Sequence, residues 1–327
     1  MKKIKQILPF ALALALLAGC AAGAAVPEDP IFAEQVELEE VELEAEAVAL
    51  ADVPALHDLL VPVASGTQVK KSAKAQIDYS NITDGYVMAQ YTTATENRVK
   101  VKIVSPSDNN DYYQYNLTPG VWTAFPLSDG NGEYKVSVLE LNPATGKYAV
   151  LVSVTVNVTL KDEFAPFVRP NQYVDYAGQT NTIAKAEELI GNETDTLKKV
   201  EKVYKYVVEN LTYDKEKAAT VQSGYLPVLD TVLAEKKGIC FDYAALMVGM
   251  LRSQGVPCKL VVGYAGTAYH AWVNVWSEET GWVTAAIYFD GTTWQRMDPT
   301  FASSSNSSDA IMKYIGDGSN YSVKYLY

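Results

Sequence analysis

The spacing of the hydrophobic residues changes once along this chain of 327 residues, and the change restricts what it can fold into. From about residue 68 to residue 160, short β-branched and aromatic runs with period two are separated by turn-forming sequences, as in antiparallel strands. After Pro166 and Pro170, apolar residues recur every three or four positions, which predicts helices, and two further strand-like runs follow. The pattern therefore predicts a β-domain followed by an α+β domain.

The period-two region predicts an antiparallel β-sandwich of immunoglobulin-like outline over residues 70–162. We find no grouping of potential catalytic side chains in it. Three tyrosines, Tyr112, Tyr113 and Tyr115, are expected at its surface, where they could bind sugar or peptide. We therefore expect a spacer or a binding module here, and assign any chemistry to residues 163–327.

Residues 1–20 have the features of an export signal. Lys2, Lys3 and Lys5 precede an apolar stretch, Ile7–Leu17, that is too short to span a bilayer as a helix. The sequence Leu-Ala-Gly-Cys that ends at Cys20 resembles the lipobox of bacterial lipoproteins. That resemblance implies cleavage before Cys20, a lipid on its sulfur, and a protein anchored to the extracytoplasmic side of a bacterial membrane. An ordinary signal peptide is the alternative.

Residues 21–69 contain eleven acidic residues and no lysine or arginine, in a chain whose formal net charge is −12. Because like charges repel, we expect an extended tether that carries the folded part away from the membrane. Without a basic domain, binding to nucleic acid is not expected. The chain's three cysteines and two histidines are too few for a zinc site outside the leader, so neither a metal nor another cofactor is expected.

A long apolar helix in the C-terminal domain is predicted to begin at Cys240 and to end at Gly255 and Pro257, with its apolar residues on one face. A thiol in the first turn of a helix lies at the positive end of the helix dipole, which favours the thiolate. A thiolate that attacks an amide needs a proton partner, and His270 is the only histidine outside the leader and tether. Asp298 is the candidate that orients the imidazole.

Together these residues resemble the transglutaminase-like superfamily. The resemblance is carried by four motifs in order: Gly-Ile-Cys-Phe-Asp-Tyr-Ala at 238–244, Gly-Val-Pro-Cys-Lys-Leu-Val-Val-Gly-Tyr at 255–264, His-Ala-Trp at 270–272 and Asp-Pro-Thr at 298–300. It implies a papain-like fold with Cys240 as nucleophile, His270 as base and then acid, and Asp298 as the orienting carboxylate. It also implies that Tyr213 lies beside the site, and the backbone N–H of Cys240 is a candidate oxyanion donor.

One departure from the family pattern concerns the third member of this triad. Asp298 stands 28 residues after His270, a longer separation than the family usually has, and Ala285 or Ala286 falls where the acid is expected. A second turn-like sequence precedes Asp298, which indicates an extension between the two triad members, accommodated by a longer hairpin. If the extension moved Asp298 away, His270 would lose the group that orients it.

Two other residues near these motifs have structural interpretations. Cys258 is interpreted as a structural thiol, because the helix that begins at Cys240 separates the two sulfurs by more than a disulfide allows. Trp272 is interpreted as a packing residue of the sheet, with a place in the wall of a substrate groove as the alternative.

The expected function is acyl transfer from a peptide amide or a glutamine side chain, through a thioester on Cys240. Water as acceptor would make the protein a peptidase or amidase, which is the preferred interpretation. A lysine amine as acceptor would make it a cross-linking transglutaminase. A module of a different class, which binds wall peptide or sugar without catalysis, is the third interpretation.

Overall fold

The computed structural model describes residues 59–107, 112–278, 281–283, 287–289, 294–296 and 321–327. Their N-terminal part forms two four-stranded antiparallel sheets. The first contains, in spatial order, β1 (Val69–Lys71), β2 (Ala75–Asp78), β3 (Tyr86–Tyr91) and β6 (Thr123–Pro126). The second contains β5 (Tyr112–Asn116), β4 (Val99–Val104), β7 (Gly132–Asn142) and β8 (Lys147–Val158).

Strand β5 buries alternate side chains, as a strand with one covered face does, whereas β3 is buried at five of its six positions. The buried residues from the two sheets belong to one hydrophobic core, which includes Ile77, Val87, Val101, Ile103, Phe125, Val136 and Val138. This pair of sheets, called the β-sandwich below, confirms the predicted antiparallel strands, whereas the immunoglobulin-like sandwich fold stays a prediction.

Residues 59–68, which the sequence assigns to the tether, lie against this sandwich. The amide of Val63 donates a hydrogen bond to Tyr86 Oη at 3.2 Å, and the amide of Gly66 donates one to Asp78 Oδ2 at 2.6 Å. This stretch has no acidic residues of its own, so nothing repels it from the carboxylate that binds it. The last part of the predicted tether is thus bound to the β-sandwich.

The C-terminal part places its helices before its sheet. The helices are α1 (Thr180–Ile190), α2 (Thr196–Asn210), α3 (Lys215–Thr220), α4 (Leu229–Glu235) and α5 (Cys240–Ser253). The main sheet contains, in spatial order, β13 (Gly281–Val283), β12 (Ala268–Ser277), β11 (Cys258–Ala265) and β16 (Tyr321–Leu326). Two smaller pairs are β9 (Thr212–Tyr213) with β10 (Lys237–Gly238), and β14 (Ile287–Phe289) with β15 (Trp294–Arg296).

This order of elements confirms the α+β class of the C-terminal part. The antiparallel pair β14–β15 lies within the extension that the sequence predicts between His270 and Asp298. Among the residues that the structure describes, no helix is long and apolar enough to cross a membrane.

The helix ends follow the capping residues that the sequence contains. Asp195 caps α2, since its side chain accepts hydrogen bonds from the amides of Leu197 and Lys198. At the end of α5, Val256 N–H bonds to the carbonyl of Leu251 and Gly255 N–H to that of Arg252, which is a Schellman motif. Helix α4 ends at Glu235, because Lys236 takes the left-handed conformation that stops the helix.

Helix α5 is buried on all sides, where the sequence predicts one apolar face. Each of its residues except the half-buried Phe241 is buried. Strands β11 and β12 cover one side of the helix, and α1, α2 and α4 cover the rest. The reason lies in its composition, since a helix with apolar residues around its whole circumference is stable only in a core.

Tyrosines join the β-sandwich to the C-terminal part. Tyr113 and Tyr115, expected at the surface, are 6% and 1% exposed. The Tyr115 ring packs against Tyr173 and Tyr327 at centroid distances of 5.7 and 5.9 Å, and these two rings stack on each other at 3.8 Å. The prediction of exposed tyrosines was wrong for Tyr113 and Tyr115, because the C-terminal part covers the face from which they project.

The tyrosine-rich segment at residues 321–326 is strand β16, which pairs with β11. The close approach of the two strands depends on Gly263, because a Cβ atom there would lie 2.0 Å from the carbonyl oxygen of Ser322. Any side chain at this position would therefore displace β16.

Arg252 connects the end of α5 to three other segments. Its side chain is 2% exposed and donates two hydrogen bonds to the carbonyl of Cys258, one to that of Arg169 and one to the main-chain oxygen of Tyr327, all at 2.7–3.0 Å. The guanidinium thereby holds the α5–β11 turn, the connection between the two parts and β16 at one point. Its planar group of five donors suits such convergent acceptors.

Replacing this side chain should destabilise the whole C-terminal part. We expect Arg252→Met to lower the free energy of unfolding by about 2–4 kcal/mol, because buried carbonyl groups lose their donor. Urea or thermal unfolding followed by circular dichroism measures the change. Arg98→Met, at an exposed arginine, is the matched control, and equal effects of the two variants would contradict the role given to Arg252.

Candidate active site

Cys240 is the first residue of α5. The residue before it, Ile239, is extended and forms the N-cap, and the carbonyl of Ile239 accepts the first main-chain bond of the helix from Tyr243. The thiol therefore lies among the N-terminal amides, where the helix dipole favours an anion. Cys240 is 9% exposed, so the thiol lies at the edge of the core.

The first turn of α5 is closed by Asp242. Its carboxylate accepts a hydrogen bond from the amide of Ile239 at 2.7 Å, which is one half of a capping box. The carboxylate folds back over Gly238, where an added Cβ atom would lie 2.5 Å from the Asp242 Cβ. The glycine two positions before Cys240 is therefore needed for this closure.

Two residues that the sequence analysis did not identify complete the environment of Asp242. Lys217 forms an ion pair with Asp242 Oδ2 at 2.8 Å, and Tyr225 Oη donates a hydrogen bond to Oδ1 at 2.6 Å. The acidic third position of the helix could have indicated the contact with Ile239. Lys217 and Tyr225 could not be identified in this way, because they reach Asp242 from α3 and the following loop.

Tyr213 lies next to the segment that leads into Cys240. Strand β9 pairs in parallel with β10, and this register sets Tyr213 opposite Gly238. The amide of Asp214, the residue after β9, adds a further hydrogen bond to the pair by donating to the carbonyl of Gly238 at 2.8 Å. The half-buried Tyr213 is thus beside the segment that leads into α5, and its place at a substrate site stays a prediction.

His270 is the third residue of β12 and pairs with Gly263 on β11. Its imidazole is 3% exposed and lies nearly parallel to the Trp272 ring, with centroids 6.3 Å apart. Alternate residues Ala271 and Val273 belong to the core that contains α5. His270 and Trp272 therefore lie on one face of β12, and Ala271 and Val273 lie on the face that packs against the core.

Helix α5 packs against β12, the strand on which Tyr269 stands next to His270. The Tyr269 side chain is partly exposed, at 40% of its surface, and its partial burial together with neighbouring tyrosines raises the pKa of its phenol above the usual value. At neutral pH its phenol is un-ionised and can donate a hydrogen bond.

Trp272 packs inside the sheet and does not form the wall of a groove. It is fully buried, and its ring contacts Tyr321 at a centroid distance of 5.0 Å and belongs to a small cluster with Val261. The alternative that Trp272 faces a substrate is corrected by this burial, since a side chain with no exposed surface has none to offer.

Asp298 and Cys20 lie outside the described residues. The assignment of Asp298 as the group that orients His270 stays a prediction, as does the lipidation of Cys20. Among the described residues, no group of three or more His, Cys, Asp or Glu side chains could hold a metal ion.

Cys258 has the properties of a structural thiol. It is fully buried at the start of β11, and burial raises the pKa of its thiol to about 12. Cys240 and Cys258 are both free, in agreement with the expectation that they form no disulfide. The Cys258 thiol therefore has little access to the thiolate form, which is the reactive form of a cysteine.

Comparison with known proteins identifies the family of the segment that contains these residues. Residues 183–299 match the model of the transglutaminase-like superfamily. The chain is 31% identical over 119 residues to the uncharacterized protein YebA of Bacillus subtilis (strain 168), which is 30% of this chain and 16% of that protein. It is 31% identical over 90 residues to a protein-glutamine gamma-glutamyltransferase of Pseudomonas aeruginosa, which is 23% of this chain and 13% of that protein.

The chain thus spans less than a fifth of the length of either curated relative. A solved structure, that of a candidate cysteine protease from Cytophaga hutchinsonii, is similar with a TM-score of 0.33 and 16% identity. That similarity covers 71% of this chain and 78% of the other.

The environments of the two cysteines predict selective labelling. We expect iodoacetamide at pH 8 to modify Cys240 in the folded protein and to leave Cys258 unmodified until denaturant is added, because the pKa of the Cys258 thiol is about 12. Peptide mapping by mass spectrometry distinguishes the two sites. Equal rates of labelling in the folded protein would contradict the difference in environment.

Proposed function

The chain carries a transglutaminase-like core domain at residues 183–299, and we propose that this domain transfers acyl groups from peptide or glutamine amides through a thioester on Cys240. The observation that carries the proposal is the place of Cys240 at the N-terminus of a buried helix that packs against β12, the strand that contains His270. A thiolate there has both the electrostatic stabilisation and the proton partner that acyl transfer needs.

In the proposed reaction, His270 takes the proton of the Cys240 thiol, and the sulfur attacks the carbonyl carbon of the amide. The tetrahedral oxyanion accepts hydrogen bonds from the amide of Cys240. The C–N bond then breaks, and the imidazolium gives its proton to the departing amine or ammonia. Asp298 is proposed to hold the tautomer of His270 that these two transfers require.

The imidazole lies on the Trp272 face of β12, opposite the face of Ala271 and Val273 that packs on α5, so the proposed proton transfer requires Cys240 and His270 to meet around the end of the strand at which β12 begins. Tyr213 and Tyr269 are the described tyrosines that we propose to border the substrate there.

The acceptor of the acyl group distinguishes two enzyme activities. We favour water, which needs no second binding site and makes the protein a peptidase or amidase. A lysine amine is the alternative, supported by the resemblance to a protein-glutamine gamma-glutamyltransferase. In either case no cofactor takes part in the proposed steps.

We further propose that the protein acts at a membrane surface, with a lipid on Cys20 and the following acidic residues as a tether. The support is the combined pattern of basic start, apolar stretch and lipobox-like end in residues 1–20. The β-sandwich would then lie between the tether and the core domain, where it could bind wall peptide or act as a spacer.

Trapping of the acyl-enzyme tests the catalytic proposal. We expect rapid acid quenching of the protein with a mixture of glutamine-containing peptides to leave an acyl adduct on the peptide that contains Cys240, detected by mass spectrometry. Cys240→Ala should abolish the adduct, and His270→Ala should slow its formation by about 10²–10⁴-fold, as for loss of a general base. Cys258→Ala is the matched control and should retain it.

The same experiment separates the alternatives. If an added alkylamine captures the acyl group in preference to water, the protein is a transglutaminase and not a hydrolase. If no adduct forms on Cys240 with any peptide, and alkylation of Cys240 is slow and unaffected by His270→Ala, the catalytic proposal is wrong and a binding module remains.

Expression in a bacterial host tests the membrane anchor. We expect the mature protein to sediment with membranes and its N-terminal peptide to begin with a lipid-modified Cys20, whereas Cys20→Ala should prevent modification and anchoring. Mass spectrometry of the N-terminal peptide gives the answer. An unmodified Cys20, or cleavage at another residue, would instead indicate an ordinary signal peptide.

A further inference from the structure

A group of three side chains, built around one fully buried carboxylate, lies behind the first turn of α5. Asp242 is fully buried and has an ion pair with Lys217 at 2.8 Å. Lys217 Nζ donates a hydrogen bond to Tyr225 Oη at 2.6 Å, and Tyr225 donates one to Asp242 Oδ1 at 2.6 Å. Each of the three residues therefore contacts the other two, and Asp242 also holds the amide of Ile239.

This group joins α3 and the loop after it to the segment that contains the proposed nucleophile. A second ion pair, between Lys237 and Asp214 at 3.1 Å, crosses between the same two segments. Asp214 also caps α3 through the amide of Lys217, which sets the start of the helix from which the lysine projects. Two ion pairs thus join these segments. In one of them the lysine comes from α3, and in the other it comes from the segment that leads into α5.

The charge of Asp242 has a consequence for the thiol. A carboxylate two residues from Cys240 disfavours a second negative charge in the same turn, and so opposes the effect of the helix dipole. The ammonium group of Lys217 is 2.8 Å from that carboxylate and offsets it. The Lys217 side chain is 25% exposed and that of Asp242 is fully buried, so the pair is only weakly screened by solvent.

We propose that Lys217, Tyr225 and Asp242 are positioning residues for Cys240, which fix the first turn of α5 and neutralise the carboxylate charge beside the thiol. This inference rests on the proposed function, because it assigns the three residues a role through the proposed nucleophile. None of the three needs to contact a substrate.

Other ionisable groups also face the thiol or its surroundings. Tyr269 and His270 lie at the start of β12, and Tyr213 on β9 lies beside Gly238. Burial and Asp242 raise the pKa of Tyr225 well above its usual value, so this phenol stays un-ionised and adds no charge. The charges of Lys217 and Asp242 can therefore be removed separately by substitution, which allows the effect of each charge on the thiol to be measured.

The test measures the rate of alkylation of Cys240 by iodoacetamide between pH 4 and pH 9, in the full chain. Lys217→Met leaves the carboxylate unbalanced, and we expect alkylation near pH 6 to slow by about tenfold because the pKa of the thiol rises. Asp242→Asn leaves the ammonium unbalanced, and we expect the profile to move to lower pH. The double variant should return close to the profile of the original protein.

Two controls separate charge from structure. Tyr225→Phe removes both hydrogen bonds of the phenol without changing a charge, so we expect it to slow alkylation of Cys240 at every pH and to leave the midpoint of the pH profile unchanged. Lack of labelling at Cys258, together with the thermal unfolding midpoint, verifies that each variant is folded. A merely structural role would move both single variants in the same direction and would make the double variant the most affected.

The result also distinguishes this inference from the proposed function. Slow alkylation of Cys240 in the original protein that is unaffected by His270→Ala would overturn the proposed function. Fast alkylation that depends on His270, with single-variant profiles that are unchanged or move together, would overturn only the role of Lys217 and Asp242. Opposite shifts that cancel in the double variant are the result we expect.

Discussion

The C-terminal part of this protein depends on a helix that is buried on all sides and held at each end by a buried charged side chain. Asp242 lies in the first turn of α5 and Arg252 in the last, so each charge is opposite in sign to the helix dipole nearest to it. Each is surrounded by hydrogen-bonding partners, which offset the free energy lost when a charge leaves water. The helix can therefore be buried because each of the two charged groups has hydrogen-bond partners inside the protein.

The position of the thiol follows from this arrangement. Because Cys240 begins a helix that packs on both sheet and helices, its backbone has little freedom to move relative to β12. A nucleophile benefits from such a rigid support, since a small displacement from the reactive geometry lowers the rate strongly. The tyrosines between the β-sandwich and the core extend the same support, because Tyr173 contacts both Tyr115 and Phe241, the residue after Cys240.

Much of the fold and part of the candidate site could be predicted from the sequence. The two periods identify the strands and the helices, and the caps at Asp195 and Gly255 place two helix ends, because these signals are local. The burial of Tyr113 and Tyr115 could not be predicted, since alternation shows which residues share a face and not which domain covers it. Lys217 and Tyr225 were missed because a loop brings them to Asp242, and no spacing rule describes that contact.

Strand β16 is synthesised well after β11, the strand with which it pairs, and this order affects folding. Its partner β11 ends at Ala265, whereas β16 begins at Tyr321, so a growing polypeptide exposes one open edge of the sheet until the later segment leaves the ribosome. Pairing over such a long stretch of sequence forms slowly, since the intervening chain must first be ordered. The sheet that contains the His270 strand is therefore complete only after residues 321–326 have been translated, so β11 keeps an unpaired edge while residues 266–320 are being made.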